Sequence, residues 1–117
     1  MPDGARVHIT TTNRDQILDA TRSSFQHALD DFPKDSEGGG GGGKPALALC
    51  ISCAGRKQIL GSRTQEEGRI VNELLGDVPT AGFYGYGEIA RLAKDGISHY
   101  HNETFTTLLL GGRAGSA

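Results

Sequence analysis

Apolar and polar positions alternate from Arg6 to Thr12. Val7, Ile9 and Thr11 fall on one side; His8, Thr10 and Thr12 fall on the other. A period of two predicts a half-buried strand. The period then changes. Ile17, Leu18, Thr21, Phe25, Ala28, Leu29 and Phe32 recur at helical spacing. This predicts an amphipathic helix with Asn13 as N-cap, Gln16 at the capping-box position and Pro33 as the stop. Ala46 to Cys53 is almost continuously apolar, as in a central strand covered on both faces, and Gly55 breaks it. Thr64 and Glu67 form a capping box ahead of the stripe Ile70, Val71, Leu74 and Leu75, with Gly76 as C-cap. Pro79 to Ala90 reads as a glycine-rich strand or ribbon, Arg91 to Asn102 as a polar connection, and Glu103 to Leu110 as a last strand.

The predicted order is β-α-β-α-β-β. It implies an α/β (mixed α+β) domain with one mixed sheet of about four strands and two helices packed mainly on one face. The first two strands, joined by a helix, are expected to run parallel. The last two are placed to pair antiparallel across a long loop. Residues 34–44, KDSEGGGGGGK, form a flexible linker or insertion inside the single domain 1–117. The run also fits the start of a phosphate-binding G-x-x-x-x-G-K loop. Pro45 stands where Ser or Thr must meet the metal, and a strand follows rather than a helix, so that reading fails. The tail GGRAGSA is expected to fray.

Composition narrows the function classes. The chain has 117 residues, 36% hydrophobic and 6% aromatic, with no Trp and 18 glycines. That is lean material for a core, and fits a domain of modest stability or a piece of something larger. The net charge of −2 comes with no Lys/Arg stripe, which argues against gripping nucleic acid or an anionic membrane. The apolar runs are too short to span a bilayer. No signal-peptide pattern opens the chain, and two cysteines in that context predict reduced thiols and a cytoplasmic location.

Three stretches carry candidate chemistry. Cys50 and Cys53 make a C-x-x-C, but positions i and i+3 of a strand point to opposite faces, and Gly and Arg follow Cys53 where a redox motif needs a helix. Cys50 reads as a packing residue. Cys53 either packs or enters a pocket with Ser52 and Arg56. In GFYGYGEIA, the residues from Gly85 on fit G-x-G-x-x-A, yet no long helix follows to make a dinucleotide site. On an extended segment Tyr84, Tyr86 and Glu88 would share a face. They form either an aromatic wall ending in a carboxylate or a packed tyrosine pair with a surface Glu. His99, His101 and Glu103 alternate in a pattern that suits a divalent metal but is commoner as solvated loop, and no metal site is assigned. Glu66/Glu67 and Asp30/Asp31 read as solvated helix ends. No catalytic triad or nucleophile elbow appears.

The segments SCAGR, VPTAGFYGYGEI and HNETFTTLLL, in that order and after the lead-in VHITTTNRDQILDATRSSFQHAL, resemble the C-terminal half of the FIST domain, FIST_C. The resemblance implies an intracellular, non-enzymatic sensory module of signal-transduction proteins that binds small ligands such as amino acids and takes no cofactor. It places Ser52, Cys53 and Arg56 on one matching segment, Tyr84, Tyr86 and Glu88 on the second, and Asn102 and Thr104 on the third. The expected ligand site joins these eight residues, with Arg56 on a ligand carboxylate and Glu88 on its ammonium. FIST proteins usually carry an N-terminal half before this one, which is absent here. The alternative readings are a protein-interaction or structural half-domain whose partner is that half or a signalling protein, and a thiol or metal enzyme.

Overall fold

The computed structural model describes residues 2–33, 43–93 and 95–111. Helix α1 (Arg14–Asp31) begins with the capping box expected of Asn13: its side chain accepts from the Gln16 N–H at 2.9 Å, and the Gln16 side chain returns to the Asn13 N–H at 3.1 Å. Its inward stripe is Ile17, Leu18, Thr21 and Phe25. Strand β1 (Pro45–Cys53) passes directly into helix α2 (Ala54–Leu60), then a 3₁₀ turn (Gly61–Arg63) and helix α3 (Gln65–Leu75). Strand β2 (Thr80–Gly85) returns parallel to β1, with Ala48 opposite Thr80 and Cys53 opposite Gly85. A ribbon of β3 (Glu88–Arg91) and β4 (Ser98–His101) follows. Strand β5 (Phe105–Gly111) closes the other side of β1 antiparallel, giving the sheet order β2-β1-β5.

The mixed α/β class is present, but the parallel pair expected between Arg6–Thr12 and the central strand is not; a different parallel crossover takes its place. The crossover runs from β1 through α2 and α3 to β2. Arg6–Thr12 forms no strand: the segment is exposed and pairs with nothing among the described residues, and Ile9 is 99% exposed. Alternation makes a strand only where a sheet edge receives it, and no edge among the described residues does. The last two predicted strands do not pair with each other; both flank β1. The expected polar connection contains β4. Gly55 does not stop the chain but sits inside α2, since one glycine is tolerated among helix formers such as Ala54, Arg56, Lys57 and Gln58. Most of the glycine-rich linker, residues 34–42, and residues 112–117 of the tail lie outside the described residues.

The helices cover one face of the sheet. Ile17, Leu18, Leu60 and Ile70 form one buried cluster, and Phe25, Ala48, Val71 and Phe105 form the next. Gly76 caps α3 at φ 65°, a left-handed value that suits glycine. Gly82 serves close approach: a Cβ there would collide with the carbonyl of Cys50 on the adjoining strand.

Candidate functional site

The parallel strands β1 and β2 end side by side at Cys53 and Gly85, and two buried carboxylates flank this end. The first is Glu67 on α3. Helical spacing puts it in the stripe with Ile70 and Val71, facing the sheet, and it is 4% exposed. Its Oε1 accepts from Arg56 Nη2 at 2.8 Å, Arg56 Nε at 3.2 Å and Thr21 Oγ1 at 3.1 Å. Its Oε2 accepts from Ser52 Oγ at 3.1 Å and Tyr84 Oη at 2.8 Å. Arg56, 3% exposed, also donates to the Ile17 carbonyl at 3.0 Å and to Thr21 Oγ1 at 2.6 Å, and its guanidinium lies 5.7 Å from the centroid of the Phe105 ring. One ion pair thereby links α1, β1, α2, α3 and β2.

This geometry corrects two expectations. Glu67 does not cap α3: Thr64 is helical at φ −56°, ψ −31°, and its side chain makes no cap bond. Arg56, expected on a ligand carboxylate, instead turns its Nε and Nη2 donors onto Glu67, Thr21 and the Ile17 carbonyl. Glu67 escaped the sequence reading because Thr64-x-x-Glu67 fits a capping box. The signal against that reading was its register, since 67, 70, 71, 74 and 75 form one continuous stripe.

The second carboxylate is Glu88, the first residue of β3, 3% exposed. Its Oε2 accepts from Thr104 Oγ1 at 2.7 Å. Its Oε1 is buried with no hydrogen-bond partner among the described residues. That oxygen lies 3.9 Å from where a Cβ of Gly85 would stand, on the sheet face away from the helices. Cys53, paired with Gly85 and buried, turns to the same face.

The eight expected site residues therefore separate. Ser52, Arg56 and Tyr84 gather around Glu67. Glu88 and Thr104 are bonded to each other, with Cys53 at the adjoining strand end. Tyr86 lies in the turn after β2, 93% exposed, so no aromatic wall forms. Asn102 is exposed and accepts from Tyr100 Oη at 3.1 Å. His101 Nε2 lies 3.1 Å from the Ala90 carbonyl, and no group of three metal-ligating side chains occurs among the described residues.

The cysteines do part ways. Cys50 packs beside the Phe25–Phe105 cluster, and burial, with the charge of Glu67 second, pushes its thiol up to about 11, away from thiolate chemistry. Cys53 is the N-cap of α2, so a helix does follow it, but its side chain makes no cap bond. Burial pushes the Tyr84 phenol upward as well, with its hydrogen bond to the Glu67 carboxylate adding to the shift.

No described helix is long and apolar enough to cross a membrane. Two curated Mycobacterium tuberculosis proteins, uncharacterized protein MT0656 of strain CDC 1551 and uncharacterized protein Rv0628c of strain H37Rv, are each 28% identical to the chain over 102 residues. The matches cover 82% of this chain and 24% of each relative, so the chain spans about a quarter of the relatives' length. No solved structure matches. The family model of the FIST C domain matches residues 1–91, which include α1, β1, the Arg56–Glu67 pair, β2 and Glu88. The chain belongs to the FIST C domain family, a family of sensory-type domains of signal transduction.

Proposed function

We propose that the domain senses a small polar ligand, an amino acid or related amine, and binds it without transforming it. The observation that carries this reading is the buried, unpartnered Oε1 of Glu88. A buried carboxylate oxygen with no donor costs free energy, on the order of 1–3 kcal/mol or more for a charged group, and an incoming N–H or ammonium recovers it. Thr104 fixes the other oxygen and so aims the vacant one. The position also fits: open α/β sheets take ligands outside the carboxyl ends of their parallel strands, where Cys53 and Gly85 end. Compared with the sequence reading, the ammonium role of Glu88 is retained and the carboxylate role of Arg56 is dropped. Calorimetric screening of amino acids and simple amines tests this, with Glu88→Gln and Thr104→Val as site variants. Binding that survives Glu88→Gln unchanged sinks the assignment.

A second reading is favoured by a different surface. The sheet face away from the helices exposes Leu47, Phe83, Leu108 and Leu110. The chain spans 24% of its relatives' length, so polypeptide from the rest of a FIST protein, or a cytoplasmic signalling partner, is a fitting cover. Co-expression with the remaining part of a longer relative, followed by hydrogen exchange, should protect the amides of β2 and β5. Unchanged exchange in the co-purified complex would count against it.

A further inference from the structure

Arg6–Thr12 and the outer edge of β5 each lack a β-partner among the described residues, as does the outer edge of β2 on the far side of the sheet. The first is Arg6–Thr12, which has the alternation of a strand but lies exposed and unpaired, with Val7 and Ile9 in solvent. The second is the outer edge of β5. The Cys53 N–H donates to the Thr104 carbonyl at 3.1 Å, so by antiparallel alternation Phe105, Thr107 and Leu109 turn their main-chain groups away from β1. Ser24 Oγ takes the Phe105 carbonyl at 2.7 Å. Beyond that point the edge faces an open groove between the second half of α1 and the β3–β4 ribbon. No strand pairs there among the described residues.

We propose that Arg6–Thr12 of one copy adds as a strand to the β5 edge of a second copy, reciprocally, so that two chains form a strand-exchanged dimer. A second copy fits because one chain carries both halves, and a two-fold arrangement satisfies both at once. In the single chain the segment reaches neither edge of its own sheet. The exposed charges on the groove wall, Asp31, Asp95 and Glu103 against Arg91, leave it acidic on balance, and the segment brings Arg6. Main-chain hydrogen bonds supply the affinity of such strand addition, and the alternate side chains Val7, Ile9 and Thr11 supply the register. The ligand-sensing reading does not depend on this surface.

Sedimentation of the full chain against Ile9→Pro tests the proposal. Ile9 is 99% exposed in the single chain, so proline there leaves the monomer's circular dichroism unchanged while removing a ladder donor. The native chain is expected to sediment as a dimer with slowed exchange of the Val7–Thr11 amides, and Ile9→Pro to weaken the dimer at least ~10-fold. Excess peptide ARVHITTT should convert the native dimer to monomer, and the peptide carrying proline in place of isoleucine should not. A native chain that stays monomeric from micromolar to millimolar concentration overturns the proposal. So does a dimer that Ile9→Pro leaves intact, which points to the apolar sheet face instead. Slowed exchange of Val7–Thr11 in a monomer also overturns it, by showing the segment docked on its own chain.

Discussion

Glu67 and Glu88 are buried to almost the same degree, 4% and 3% exposed, one on each side of the sheet end. Their surroundings differ. Glu67 receives hydrogen bonds from Arg56, Thr21, Ser52 and Tyr84, contributed by four different elements. Glu88 receives one, from Thr104, and keeps an empty oxygen. Burial alone therefore does not identify a functional carboxylate. A satisfied one holds the fold together, and an unsatisfied one still lacks a donor, which is what the proposed ligand would supply.

The comparison breaks most sharply at Arg56. Arg56→Ala leaves the Glu67 charge buried without its cation, which costs about 3–5 kcal/mol, and the lean core has little margin for that. Loss of the cooperative urea transition is the expected result. A transition that keeps its midpoint would mean that the pair is not structural. Tyr84→Phe removes one of several donors to Glu67 and should lower stability by about 1–2 kcal/mol in the same measurement. Alkali probes the same network through Cys50. Its folded value, raised to about 11, lies above its ordinary 9.0, so stability is fully present below pH 9.0 and falls as pH rises through about 11. Tyr84 shifts in the same direction and steepens the fall. In Cys50→Ala, the loss of stability over that window should be smaller than in the native chain.

Legibility in the sequence followed how local each cause was. The start of α1 was readable because Asn13, Gln16 and the apolar stripe lie within a few residues of one another. The central strand was readable because its apolar run is uninterrupted. Arg6–Thr12 was not, because a strand needs an edge, and a pattern of two carries no information on whether one is free. Glu88 with Thr104 was legible only as two members of a wider set; that they bond to each other comes from β3 lying near the start of β5. The Arg56–Glu67 pair was hidden for the converse reason. An arginine after a strand looks like a ligand clamp, and a glutamate three residues after Thr64 looks like a cap, unless the partner's position is known.

The finest form of the comparison is the same substitution at both carboxylates. Glu67→Gln removes a charge that Arg56 needs, so it should cost a few kcal/mol, less than Arg56→Ala because the amide oxygen can still accept. Glu88→Gln removes a charge that no ion pair among the described residues matches. Thr104 can still donate to the amide oxygen, and the desolvation penalty of the carboxylate disappears, so stability should hold or rise by up to about 1 kcal/mol. The same Glu88→Gln protein should lose the ligand response proposed for the native chain, because an amide presents no charge to an ammonium. Parallel urea titrations of the two variants, with and without a ligand found by calorimetry, read both effects. Opposite signs of stability change, with ligand response lost at Glu88, support the division of roles. Destabilisation of similar size at both sites would mean that Glu88 is a second structural carboxylate whose partner is a bound water.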